Sequence, residues 1–208
     1  MDIQAVVDRR ARLLKAMGRG IAVIPTAPER VRNRDSHYPY RHDSYFYYLS
    51  GFAEPEAAVV LVAGDKPQAL LFCREKDPDK EVWDGFRHGP EAAREAFRFD
   101  AAYPITSLDE KLAELLAGQA VLHYSMGHDA DWDDRLVAAL NRVRANVRSG
   151  AHAPAEIRDV RVERDEMRLI KDAHEIADRS RAADISAAAH RRAMRAAMVP
   201  VDPGPGPT

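Results

Sequence analysis

The chain has no second cysteine. Cys73 stands alone among 208 residues, so no internal disulfide framework exists and stability must come from a packed core. Its neighbours Ala69, Leu70, Leu71 and Phe72 are apolar, which reads as a buried thiol in a strand. A catalytic thiol would need a thiolate-stabilising setting that this run does not spell out. Charge of one sign is not in excess either. Lys plus Arg number 31 and Asp plus Glu 33, a formal net charge of -2. That balance argues against nucleic acid as a partner, and the chain carries no acidic or basic block that would make a charged tail.

Other absences narrow the field further. No uninterrupted apolar run approaches the ~18 residues that would span a membrane. The opening Met1-Asp2-Ile3-Gln4-Ala5-Val6-Val7-Asp8-Arg9-Arg10 lacks the basic start and apolar core of a secretory signal, so a reducing cytoplasm is the expected setting. There is no G-x-S-x-G elbow, no G-x-x-x-x-G-K-[ST] phosphate loop and no H-E-x-x-H helix. No catalytic constellation emerges from the residues themselves.

What is present reads as an α/β domain. Hydrophobic residues make up 46% of the chain, enough to fill one sizeable core. Apolar residues recur with a helical period from Ile3 to Met17 and stop at Gly18 and Gly20. Ile21–Ile24 is a β-branched run closed by Pro25, a buried strand. Residues 26–43 are polar and form a long loop, and the aromatic run Tyr45–Leu49 reads as a strand. Ala57–Ala63 and Gln68–Cys73 flank Gly64-Asp65-Lys66-Pro67, the pattern of a β-hairpin. Pro78–Gly89 reads as loop, Pro90–Phe97 and Thr106–Leu116 as helices, Ala120–Tyr124 as a strand and Asp131–Arg144 as an amphipathic helix. Strands alternating with helices predict a mixed β-sheet flanked by helices. After Gly150-Ala151-His152-Ala153-Pro154 the pattern turns helical, from about Glu163 to Met198. The expected division is a domain over 1–150, a linker over 151–162, a helical segment over 163–198 and a disordered Pro/Gly tail over 199–208.

Three segments are candidates for function. His123–Asp134 gathers two histidines and four aspartates, residue types that suit divalent metals and, in that case, a small metal-dependent hydrolase. The simpler reading is a strand end, a Gly turn and a helix start, with Asp131, Asp133 and Asp134 at the positive end of the helix. His37, His42, His88, His152, His174 and His190 have no metal-ligand spacing. Residues 32–43 make a long, charged, aromatic loop that leads into an apolar segment, which suits a surface for another domain, subunit or ligand. Glu81–Gly89, with Trp83 and Phe86, has the same character.

These two loops carry a resemblance. The run Asp35-Ser36-His37-Tyr38-Pro39-Tyr40-Arg41-His42-Asp43, continuing through Ser44–Ala57, is similar to the signature of the aminopeptidase P N-terminal domain. The likeness continues through Trp83-Asp84-Gly85-Phe86-Arg87, and resumes at Arg158-Asp159-Val160-Arg161 and Glu166–Lys171. His42 departs from it, since the family more often has Gln there. The resemblance implies the N-terminal α/β fold of the aminopeptidase P and creatinase type. It also implies an enzyme that releases an N-terminal residue preceding proline, using two Mn2+ held by two Asp, one His and two Glu. Those ligands belong to a pita-bread catalytic domain beyond the end of this chain, so no catalytic residue and no metal ligand is expected here, and no cofactor bound by this chain. His190 is expected to be structural. The Xaa-Pro aminopeptidase assignment therefore comes with the expectation that the chain alone is inactive, cut before its metal ligands. The change to Val199-Pro200-Val201-Asp202-Pro203-Gly204-Pro205-Gly206-Pro207-Thr208 suggests a premature end, through a frame change or an artificial junction. By resemblance Asp35 and Trp83 lie nearest the mouth of the active site, in substrate placement or interdomain contact. The implied partners are proline-containing peptides and further copies of the chain, through the N-terminal domain. An alternative is a non-catalytic module that associates with peptidase subunits or another partner, since the apolar positions of the helix from Ala173 need cover.

Overall fold

The protein is described as a computed structural model over residues 2–197, so the expected tail at 199–208 lies outside the described residues. Contacts divide it after Leu169 into two compact units. The first is built on a mixed six-stranded sheet. Helix α1 (Ile3–Met17) starts where the Asp2 side chain accepts the Gln4 amide at 2.8 Å, and ends at Gly18 with φ 67. It leads into strand β1 (Gly20–Pro25), which becomes the centre of the sheet. A small hairpin, β2 (Val31–Asn33) and β3 (Ser36–His37), stands apart from the main sheet. Strands β4 (Ala58–Ala63) and β5 (Gln68–Cys73) form the hairpin expected from their apolar runs. Strands β6 (Ala101–Pro104), β7 (Val121–His123) and β8 (Glu156–Arg158) complete the order β6-β5-β4-β1-β7-β8. β4 runs antiparallel to β1 and β5, whereas β6, β7 and β8 each pair in parallel with a neighbour.

The period of two along each strand divides the core between two faces. Ala22 and Ile24 of β1, Val59 and Leu61 of β4, and Leu71 and Cys73 of β5 face one layer, with α1, helix α2 (Ser44–Ser50) and helix α4 (Gly89–Phe97). Ile21 and Val23, Ala58 and Val60, and Leu70 and Phe72 face the other. That side is covered by helices α5 (Leu108–Leu116) and α6 (Ala130–Ala145). Because both faces are covered, the strands read as continuous apolar runs. Phe46, Phe52 and Phe72 are fully buried, each stabilising the fold by about 1.5–3 kcal/mol. Gly20 is required where β1 begins beside β7: its φ is 96, and a Cβ there would sit 2.4 Å from the Val121 carbonyl oxygen.

The aromatic run Tyr45–Leu49, expected as a strand, is helix α2. Its local signals are helical. The Asp43 carboxylate accepts the Tyr45 and Phe46 amides at 2.9 and 2.8 Å, and Gly51 adopts φ 68 while its amide closes the last turn on the Tyr47 carbonyl. Caps at both ends and burial of Phe46 and Leu49, three residues apart, outweigh the β preference of aromatic side chains. Pro78–Gly89, expected as loop, contains helix α3 (Pro78–Asp84), begun by Pro at its first position and by Asp77 as N-cap. Between residues 151 and 162 the chain adds β8 to the sheet before helix α7 (Arg161–Leu169). The second unit contains helix α8 (Ala173–Ala197), on which no residue is buried and Ile176, Ile185 and Met194 stand exposed. No helix among the described residues is long and apolar enough to cross a membrane.

Candidate functional site: an exposed hairpin tip and a tethered aromatic helix

Residues 26–43 leave the carboxyl end of β1 and return to start α2. The base of this excursion is tied down. The Thr26 amide donates to the Ala57 carbonyl at 2.9 Å, and the Tyr40 hydroxyl shares a 2.8 Å hydrogen bond with Thr26 Oγ1 and donates to the Ala27 carbonyl. Burial raises the Tyr40 phenol above its ordinary range, so it stays protonated as a donor. His42 stacks on Tyr47 with 3.9 Å between ring centroids, and its imidazole is lowered by burial and then by the Arg41 charge. From this base the β2–β3 hairpin projects, closed by the Tyr38 amide donating to Arg30. Asp35 sits at its tip, exposed, following Arg34 at φ 24. Such a carboxylate is presented outward and can meet a cation or an amide on another body.

Trp83 lies in α3 and is 87% exposed, with Val82 and Phe86 beside it also open. Exposed aromatics on a frayed loop would signify little. Here the segment is held at several points. Glu81 Oε1 accepts from Lys76 Nζ and from the Arg87 amide, each at 2.6 Å, and Lys76 also donates to the Arg87 carbonyl. These donors hold the Glu81 carboxyl below its usual range, Lys76 contributing most. Arg87 pairs with Asp84 at 2.6 Å. The second anchor is Glu54, which accepts the His88 amide at 2.9 Å and contacts His88 Nδ1 at 2.5 Å, with Arg74 3.8 Å away. The His88 ring in turn packs edge-on against Phe86 and Phe97. A helix fixed on a charged frame while its apolar face points outward is a contact surface with little entropy left to lose. Among the described residues no hydrogen bond or ring contact joins Asp35 to Trp83; they stand on separate elements. Glu54 lies within the motif quoted above and His88 within the Glu81–Gly89 segment, but the sequence marks neither as an anchor.

The His123–Asp134 segment is a strand end, a turn and a helix start. His123 closes β7, buried, its Nε2 3.1 Å from the Arg19 carbonyl. Gly127 turns the chain at φ 82, and its amide donates to Asp133. Asp129 caps α6 by accepting the Asp131 and Trp132 amides. Among the described residues no group of three or more His, Cys, Asp or Glu is placed to hold a metal ion. Cys73 is fully buried, and burial pushes its thiol up to about 12, with Glu54 adding to the shift.

Comparison with known proteins fits this fold. Residues 6–123 match the family described as "Aminopeptidase P, N-terminal domain". The chain belongs to that family. It is 41% identical over 189 residues to the Xaa-Pro aminopeptidase of Escherichia coli, covering 89% of this chain and 43% of that protein. It is 35% identical to the Xaa-Pro aminopeptidase of Haemophilus influenzae, covering 90% and 42%. Zinc-substituted E. coli aminopeptidase P in complex with product superposes with a TM-score of 0.90 at 40% identity, over 93% of this chain and 45% of that one. Proline aminopeptidase P II from Yersinia pestis gives 0.89 at 43% identity, with the same coverage. The chain thus spans less than half the length of the curated relatives it matches.

Proposed function

We propose that this chain is the N-terminal portion of an Xaa-Pro aminopeptidase, contributing shape and contacts, and that it hydrolyses no peptide by itself. The observation that carries this reading is the coincidence of two facts: the likeness extends over nearly the whole chain, yet the chain spans under half of each relative. In this reading residues 1–150 are the body of the α/β domain, 151–162 its exit, which also supplies the edge strand β8, and 163–198 the start of the catalytic half. The two Mn2+ of the complete enzyme would be held by the part of the relatives that this chain does not span. The described residues do not fit such a pair, so no chemical step is derived from it. Asp35 at the hairpin tip and Trp83 on its tethered helix serve substrate placement or contact with another domain. A cytoplasmic peptidase that self-associates through this domain and takes peptides with proline in second position is the reading they support.

The test is cleavage of a proline-containing peptide by the purified chain with added manganese, with bound metal quantified on the same sample. The expected result is no turnover and no stoichiometric metal. Turnover with tightly bound metal would overturn the reading and make the His123–Asp134 segment the leading site. A second reading, a non-catalytic module that docks on peptidase subunits, draws on the exposed Ile176, Ile185 and Met194 of α8. Light scattering of the chain mixed with full-length subunits tests the module, which a failure to co-associate sinks.

A further inference from the structure

β1 and β7 lie side by side and parallel, but the chain leaves their carboxyl ends in opposite directions. From β1 it passes through residues 26–43 to α2, packed on one face of the sheet; from β7 it passes through residues 124–129 to α6, packed on the other. Diverging connections of this kind open a crevice at the strand ends, the place where open α/β sheets take up ligands. A cavity of about 230 Å³ occupies that place, walled by Val23, Pro25, Tyr45, Ser125, Asp129 and Arg164. It is smaller than the ~300–1,000 Å³ of sites for drug-sized molecules, which limits an occupant to a small metabolite.

Arg164 is the unusual member. It lies in α7, is only 7% exposed, and places its guanidinium 4.6 Å from the Tyr45 ring centroid while donating to Ser125 Oγ at 3.0 Å. A buried cation normally has a carboxylate against it. Here each nearby carboxylate is engaged elsewhere. Asp43 caps α2, Asp159 is held by the Arg161 side chain at 2.5–3.0 Å and reaches Arg164 only through Ser125, whose Oγ donates to it at 3.1 Å, and Asp165 accepts from the Tyr45 hydroxyl. Among the described residues none of them comes within ion-pair distance of Arg164, whose Nε has no partner. Burial accordingly pulls its guanidinium below the ordinary range. Asp129 lines the same cavity and has one oxygen engaged by the α6 amides. The remainder of the wall includes the apolar Val23, Pro25 and Ala27.

We propose that this crevice binds a small aliphatic amino acid as the zwitterion, its carboxylate on Arg164, which Ser125 positions, its ammonium toward Asp129, and its side chain against Val23 and Pro25. Inorganic phosphate is the competing occupant, since Arg30, Arg161 and His128 also line the wall; it would leave Val23, Pro25 and Ala27 without use, and the test distinguishes the two. The proposal is independent of the peptidase reading: it concerns a site built from residues of this chain alone. The test is titration of the 15N-labelled full chain with L-leucine, followed by amide NMR. Saturable shifts at Ser125, Asp129 and Tyr45 are expected, with Kd on the order of 0.1–1 mM. N-acetyl-L-leucine and L-leucinamide, each lacking one charge, should not saturate. Arg164→Gln and Ser125→Ala should each weaken binding about tenfold, while Lys66→Ala, in the β4–β5 turn, leaves it unchanged. Ser125→Ala carries the test if Arg164→Gln does not fold. Absence of a saturable response by about 10 mM L-leucine overturns the proposal. So does equal affinity for N-acetyl-L-leucine, or tighter binding of phosphate.

Discussion

Replacing Arg10 by Met tests how the α1 layer is held. Arg10 is 2% exposed on α1, and its guanidinium donates to the carbonyls of Leu49, Phe97 and Arg98 at 3.1, 2.9 and 2.7 Å. It also lies 4.2 Å from the Phe99 ring centroid. It therefore joins α1 to the carboxyl ends of α2 and α4, where backbone carbonyls have no helical donor. Methionine keeps the apolar stem but leaves three acceptors without their donor, the buried Leu49 carbonyl and the partly buried Phe97 and Arg98 carbonyls, at about 1–3 kcal/mol each. Against that stands relief from burying a cation, since burial draws Arg10 from 12.5 to about 10. That relief is worth about 3 kcal/mol. At the middle of that range the acceptors outweigh the relief, and the expected net loss is about 3 kcal/mol. Urea unfolding followed by the fluorescence of Trp132, which is half-buried, should show the midpoint falling by about 1–2 M. Arg10→Lys should recover less than half of this, because one ammonium cannot reach three divergent carbonyls. A midpoint shift under about 0.3 M, or full recovery by lysine, would refute the reasoning.

Three more outcomes are expected. Cys73 should resist an aromatic disulfide reagent in the folded protein and react at once in denaturant; rapid native labelling would contradict its burial and its raised thiol. Asp159 is lowered from 3.8 to about 2, chiefly by hydrogen bonds from Arg161, so its contribution is complete above pH about 4 and is lost as pH falls toward 2. Asp159→Asn should flatten stability over that window only, by a small amount because the pair is partly exposed, and a change confined to neutral pH would count against it. Glu54→Gln should speed hydrogen exchange at the His88 amide and increase the rotational freedom of Trp83, measured by fluorescence anisotropy in a Trp132→Phe background; unchanged values would show that Glu54 does not hold α3.

Much of the sheet was legible because its central strands are buried on both faces. β1, β4 and β5 announce themselves as unbroken apolar runs, and Gly64 to Pro67 marks the turn between the last two. The edge strands carry no such mark. β6 is Ala-Ala-Tyr-Pro, and β8 is exposed along its length, so neither has the apolar content that periodicity detects. α2 departs from the strand expectation because the identity of its side chains speaks for a strand, while its caps, Asp43 and Gly51, speak for a helix. For the candidate sites the limit is different. Asp35 and Trp83 came from the family motif, but that one is on a hairpin tip and the other on a tethered helix depends on tertiary contacts. Ser125 and Arg164 lie 39 residues apart and meet because β7 and β8 pair in parallel. No local pattern records such a meeting.

The placement of β1 has a consequence for how the chain is made. Ile21 pairs on one side with Val62 and on the other with Leu122. As the chain emerges from the ribosome, the first partner is available early and the second only after another sixty or so residues of synthesis. Throughout that interval the growing polypeptide displays the β7-facing border of β1, a row of unsatisfied backbone groups flanked by isoleucine and valine and open to pairing with any neighbouring nascent chain. Slow translation between residues 63 and 121 should therefore lower the yield of native protein, and faster translation of the same stretch should restore it.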